Sequence, residues 1–141
     1  MDKIIALLKE RNKFLSKFSA LNGAEMTKMG TGNFDSIDEF YSTREGLLEI
    51  IKQIELMLDK RLAILGEFEN VAPGIKKHVS QLLRERDELV NQILAQDLEI
   101  LSMIDDFKNN IIRELQSLRK NRKVISSYKS GEVQNVLDEE I

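Results

Sequence analysis

The residues of this 141-residue chain that could do chemistry are one histidine and many carboxylates in the second half. Because the chain has no second histidine and no cysteine, a metal ion at His78 would need carboxylate ligands alone. None of the carboxylates repeats the Glu-x-x-His spacing of di-iron helix bundles, so they predict a solvated helix face. They are Glu85, Asp87, Glu88, Asp97, Glu99, Asp105 and Asp106. We expect no metal, no cofactor and no enzymatic activity, since phosphate-loop and nucleophile motifs are also missing.

A basic patch lies near the end of the same region. It consists of Arg113, Arg119, Lys120, Arg122 and Lys123. These cations could simply complement the negative end of a helix dipole, or they could bind an acidic protein partner. Nucleic acid is the least favoured ligand, because the net charge is −3 and aromatic residues are not interleaved. We therefore expect no nucleic-acid binding and keep the first two explanations open.

Composition is compatible with a reducing compartment. The absence of cysteine is consistent with the cytoplasm. No window approaches about 20 uninterrupted apolar residues, so we expect no membrane insertion. The first ten residues are apolar only briefly and then charged, unlike a signal peptide. The expected localisation is cytoplasmic.

The elements that must position these residues are helices. Apolar residues recur every three or four positions, which is the helical period. Glycines and an asparagine at 30–33 and the segment Asn70–Gly74 predict two breaks. After Gly74 no proline or glycine occurs until Gly131, so the last helix should be very long. The predicted helices cover residues about 2–28, 37–69 and 73–128, and a short acidic tail follows at 132–141.

Short connections make neighbouring helices antiparallel. The predicted fold is therefore all-α, an elongated antiparallel three-helix bundle over 1–131 with a long third helix and a short C-terminal segment. The third helix is about twice as long as the others, so part of its apolar stripe should lack a cover and need a partner. That partner is either a client protein or another copy in a homodimer. The predicted client-binding groove comprises Ile93, Leu94, Leu101, Ile104, Ile111, Leu115 and Leu118.

Three stretches together resemble the FlgN/FliT-like family of flagellar type III export chaperones. They are LLKERNKFL at 7–15, GNFDSIDEF at 32–40 leading into REGLLEII at 44–51, and LQSLRKNRKVISSY at 115–128. The resemblance implies an all-α cytoplasmic chaperone that binds the C-terminal helical region of a flagellar hook-associated or cap protein. It would prevent premature assembly and deliver the client to the export gate. Tyr128 is similar in position to a family tyrosine linked to gate docking.

A structural coiled-coil protein is the alternative function. Such a scaffold would associate only with itself and would have no client. Light scattering separates the two functions, because a scaffold forms a stable oligomer without any client.

Overall fold

The protein folds into three helices in a computed structural model that describes the backbone of residues 1–65 and 71–140 and the side chains of 1–64 and 71–127. The helices are α1 (Asp2–Gly30), α2 (Ile37–Leu65) and α3 (Pro73–Glu140). The described residues contain no strand. The predicted all-α class with three helices is confirmed.

The chain divides into two compact units, Met1–Leu101 and Ser102–Ile141. The first unit contains α1, α2 and the first part of α3. The Asn12 side-chain amide donates to the Leu82 carbonyl oxygen (2.9 Å), and Asn22 donates to the Gln96 side-chain oxygen (3.2 Å). Residue numbers therefore increase together along α1 and α3, so these two helices run in the same direction.

Helix α2 runs antiparallel to both neighbours, as the two core clusters of the first unit show. One cluster is formed by Ile4, Leu8, Ile54, Leu58, Val79 and Leu82. The other is formed by Leu15, Phe18, Ile51 and Ile93. Numbers rise from the first cluster to the second in α1 and α3 and fall in α2. Burying each large apolar side chain contributes about 1.5–3 kcal/mol, so these clusters hold the unit together.

The turn between α1 and α2 is a Schellman motif. The backbone N–H of Asn33 donates to the Lys28 carbonyl (3.0 Å), and that of Gly32 donates to the Met29 carbonyl (2.9 Å). Gly32 has a φ of 84°, which an L-residue adopts only at a steric cost. The predicted break at 30–33 is confirmed, and α2 begins at the predicted residue, Ile37.

Helix α3 begins at the predicted residue, Pro73, because proline fits the first turn of a helix. The helix continues to Glu140. The predicted helix end near residue 128 is therefore wrong, and so is the predicted separate tail as far as residue 140. A single glycine such as Gly131 costs about 1 kcal/mol in a helix but leaves the backbone hydrogen bonds possible. Residue 141 and the predicted end of α2 at 69 lie outside the described residues.

A polar layer crosses the first unit and consists of Asn22, Arg44, Gln96 and Asp97. Asn22 is fully buried, and its amide also donates to an Asp97 carboxylate oxygen (3.3 Å). Arg44 Nη2 lies 3.0 Å from the same Asp97 oxygen, and the Gln96 amide donates to the Ser19 carbonyl (3.1 Å). The layer therefore ties all three helices together at one level.

Candidate functional site

Large apolar side chains lie exposed along α3 in the second unit. Ile111, Leu115, Leu118 and Ile125 are 40%, 50%, 58% and 54% exposed, and Ile104 is half-buried. We call these five residues the apolar stripe. Their spacing of seven, four, three and seven places them on one side of an α-helix. Because contiguous exposed apolar side chains usually mark an interaction surface, the apolar stripe is the candidate site.

The predicted groove separates into covered and exposed positions. Ile93 is only 9% exposed and packs with Leu15 and Phe18, so its place in the groove is wrong. A side chain already sealed in the bundle core cannot contact a partner without unfolding it. Leu94 and Leu101 belong to the first unit and are both more than half exposed.

The remaining predicted positions, Ile104, Ile111, Leu115 and Leu118, belong to the apolar stripe. Sequence reasoning missed Ile125, although a signal for it was present. Ile104, Ile111, Leu118 and Ile125 follow one another at intervals of seven residues. That interval is the heptad repeat of helices that pack lengthwise against another helix.

The basic patch lies in the same part of α3, and all five of its side chains are exposed. The ion pairs among the described side chains are Arg44–Asp97 and Arg86–Asp87. No cation of the basic patch therefore forms an ion pair with a described side chain. Arg119 and Arg122 are close in sequence to Leu118 and Ile125 of the stripe. A partner that covers the stripe would therefore meet positive charge at its end. The side chain of Tyr128 lies outside the described residues.

A recess of about 350 Å³ opens between the helices of the first unit. Its walls are Ile4, Leu8, Arg11, Glu55, Leu58, Asp59, Leu62, Val79, Leu83 and Arg86. Burial and the neighbouring Arg86 lower the pKa of Arg11. Two arginines and two carboxylates balance one another here, so the recess presents no net charge to a ligand. Sequence reasoning missed this recess, because no motif joins residues that distant helices bring together.

Metal binding and membrane insertion are two other kinds of site to consider. Among the described side chains, no group of three or more histidines, cysteines or carboxylates is placed to hold a metal ion. His78 is half-buried on α3. No described helix is both long and apolar enough to cross a membrane.

No protein-family model, curated protein or solved structure matches this chain. The resemblance to the FlgN/FliT-like family stays a prediction from the three motifs.

The apolar stripe can form an apolar contact with a partner. A helix that laid its own apolar face on the stripe would remove these side chains from water, at about 25 cal/mol per Å² of apolar surface buried. Recognition of amphipathic helices generally uses anchor residues at such three- and four-residue spacing. The apolar stripe is therefore suited to bind another helix.

Proposed function

We propose that this protein binds an amphipathic helix of another protein along the apolar stripe. The observation that carries the proposal is the exposure of Ile111, Leu115, Leu118 and Ile125 at helical spacing. Large aliphatic side chains at one heptad interval provide the knobs and holes into which a second helix packs. The flanking basic patch adds positive charge. Such charge raises the association rate and sets the orientation of the partner more than it raises the affinity.

We further propose that the protein is a cytoplasmic export chaperone of the FlgN/FliT-like type. The three sequence motifs support this assignment. The client is then the C-terminal helical region of a flagellar hook-associated or cap protein, which polymerises through amphipathic helices. Covering that region prevents premature assembly, and release at the export gate requires the binding to be reversible. Tyr128 is the residue proposed to contact the export gate, and the basic patch is proposed to contact an acidic protein partner.

Replacing Leu115 and Leu118 together by aspartate tests the client-binding surface. The paired variant places two charges where the client helix would bury its apolar face, and buried unpaired charge is strongly unfavourable. We expect the affinity to fall by at least about 100-fold, which corresponds to roughly 3 kcal/mol. The measurement is a fluorescence-anisotropy titration with labelled peptides from the C-terminal regions of candidate hook-associated and cap proteins.

Asn109 and Gln116 provide the matched control. Both are exposed on α3, and their helical positions place them on the side away from the apolar stripe. The variant Asn109→Asp with Gln116→Asp adds the same charge to the same helix and should bind within about twofold of the wild type. Circular dichroism should show unchanged helix content in both variants. Equal affinities for the wild type and Leu115→Asp with Leu118→Asp would refute the proposed surface.

A further inference from the structure

Charge is distributed unevenly along the part of α3 that carries the apolar stripe. Two carboxylates, Asp105 and Asp106, lie near its beginning. Four cations lie near its end: Arg119, Lys120, Arg122 and Lys123. All six side chains are exposed, and none forms an ion pair within the described part of the chain. Lys108, also exposed, offsets one of the two carboxylates, so the stripe is only weakly acidic near its beginning and strongly basic near its end.

The apolar stripe has the length and spacing for pairing with one straight helix. From Ile104 to Ile125 it covers about three heptads, close to the shortest pattern that identifies a coiled coil. The seven-residue interval keeps the stripe facing the same neighbour, because the two helices can wind around each other slightly. A second copy of the same helix has a matching interval by necessity.

The charges select the direction in which a second copy lies. In a parallel pair, the four cations at 119–123 of one copy would lie beside the same four cations of the other, and Glu114 would offset one of them at most. In an antiparallel pair centred on Ile111, Ile104 of one copy is level with Leu118 of the other. Asp105 is then level with residue 117 of the second copy, less than one helical turn from its Arg119. Unlike charges attract in this arrangement, whereas like charges repel in the parallel one.

We propose that the free protein forms an antiparallel homodimer through the apolar stripe, centred on Ile111, with Asp105 of each copy beside Arg119 of the other. The apolar contact supplies the affinity, and the charges supply the direction. A uniformly acidic helix fits less well, since it would place carboxylates against Asp105 and Asp106. The proposal concerns the protein without a client and does not depend on the client's identity. A client that uses the same stripe must displace the second copy.

Single cysteines test the direction and the register, and the chain has no native cysteine to interfere. The variants are Ile104→Cys and Leu118→Cys, each with the rest of the chain intact. In the proposed dimer, residue 104 of one copy lies roughly 21 Å along the helix axis from residue 104 of the other copy, which is too far for a disulfide. Residue 104 of one copy is instead level with residue 118 of the other. Under mild oxidation, the mixture of the two variants should cross-link at least tenfold more than either variant alone.

Cross-linking of Ile104→Cys with itself to the same extent as in the mixture would indicate a parallel dimer and overturn the proposal. Absence of cross-linking in every sample, with sedimentation showing monomers, would overturn it as well. These experiments contain no client, so neither result changes the proposed client-binding function. Circular dichroism of each variant verifies that the helices are retained.

Charge reversal provides a second, independent test. Asp105→Lys places a lysine beside Arg119 of the other copy, and Arg119→Glu places a glutamate beside Asp105, so each variant should raise the dimer dissociation constant at least fivefold. The combined variant exchanges the two charges and should return to within about twofold of the wild type. Sedimentation velocity over a concentration series gives the three constants. Additive weakening in the combined variant would exclude this register.

Discussion

At the scale of the residue, Arg44 of the polar layer contacts both aromatic rings and a carboxylate. Its guanidinium carbon lies 4.7 Å from the centre of the Phe18 ring and 5.3 Å from that of Phe40. Its Nη2 forms the ion pair with Asp97, and its side chain is only 14% exposed. A planar guanidinium can stack on rings and pair with a carboxylate at the same time, which lysine cannot do equally well. Arg44 therefore joins α2 to both α1 and α3.

Replacing Arg44 by alanine should lower the free energy of unfolding by about 1–3 kcal/mol. The change removes the ring contacts and leaves the Asp97 carboxylate with only its amide partner from Asn22. Urea unfolding followed by circular dichroism measures the loss.

Arg86→Ala is the matched control for that substitution. Its ion pair with Asp87 has nearly the same length, 3.1 Å against 3.0 Å, but both of its side chains are more exposed. Solvent screens such a pair, so we expect a loss below about 1 kcal/mol. Equal losses of unfolding free energy in the two alanine variants would show that the aromatic contacts of Arg44 add nothing to stability.

At the scale of the element, Gly23 inside α1 and Gly32 in the turn after it should respond in opposite ways to replacement by alanine. Gly32 adopts a positive φ and closes the Schellman motif, whereas Gly23 lies inside the helix. A Cβ atom at either position would meet no atom within 4 Å. Backbone conformation rather than space therefore decides what alanine does at each site.

Gly32→Ala should destabilise the protein by about 1–2 kcal/mol, because alanine is strained at a positive φ. Gly23→Ala should stabilise it by about 0.5–1 kcal/mol, since alanine restricts the unfolded chain and favours the helix. Thermal unfolding of the two variants beside the wild type measures both shifts. Shifts of the same sign would contradict the assigned backbone conformations.

At the scale of the whole molecule, salt should weaken or strengthen the dimer according to whether the charges at positions 105 and 119 attract or repel each other. In the wild type, raising the salt concentration from about 0.05 M to about 0.5 M screens attraction between Asp105 and Arg119 and should weaken the dimer several-fold. In Asp105→Lys the same salt screens repulsion and should strengthen the dimer. Sedimentation at the two concentrations measures both changes, and a common direction in the two proteins would argue against the charge pairing.

Much of the fold could be predicted from the sequence because local rules decide it. Helical periodicity, the glycines at 30 and 32 and the proline at 73 set three helix boundaries close to the observed ones. The far end of α3 was mispredicted because Gly131 is a weak helix breaker and backbone hydrogen bonds continue through it. An apolar pattern also showed that α3 carries a stripe, and the exposed residues Ile111, Leu115 and Leu118 were among those predicted.

The periodicity of α3 by itself determined that an apolar row runs along this helix, because each residue's angular position follows from its number. Only the tertiary structure decided which members of the row are already covered. Ile93 and Leu118 are both aliphatic positions of one helix, yet Leu15 and Phe18 pack on the first, while the second remains 58% exposed. Burial depends on which distant segments fold against a residue, and Arg44 meets Asp97 for the same reason. Contacts between residues far apart in the chain have no local sequence signature, so they became visible only when the helices were packed.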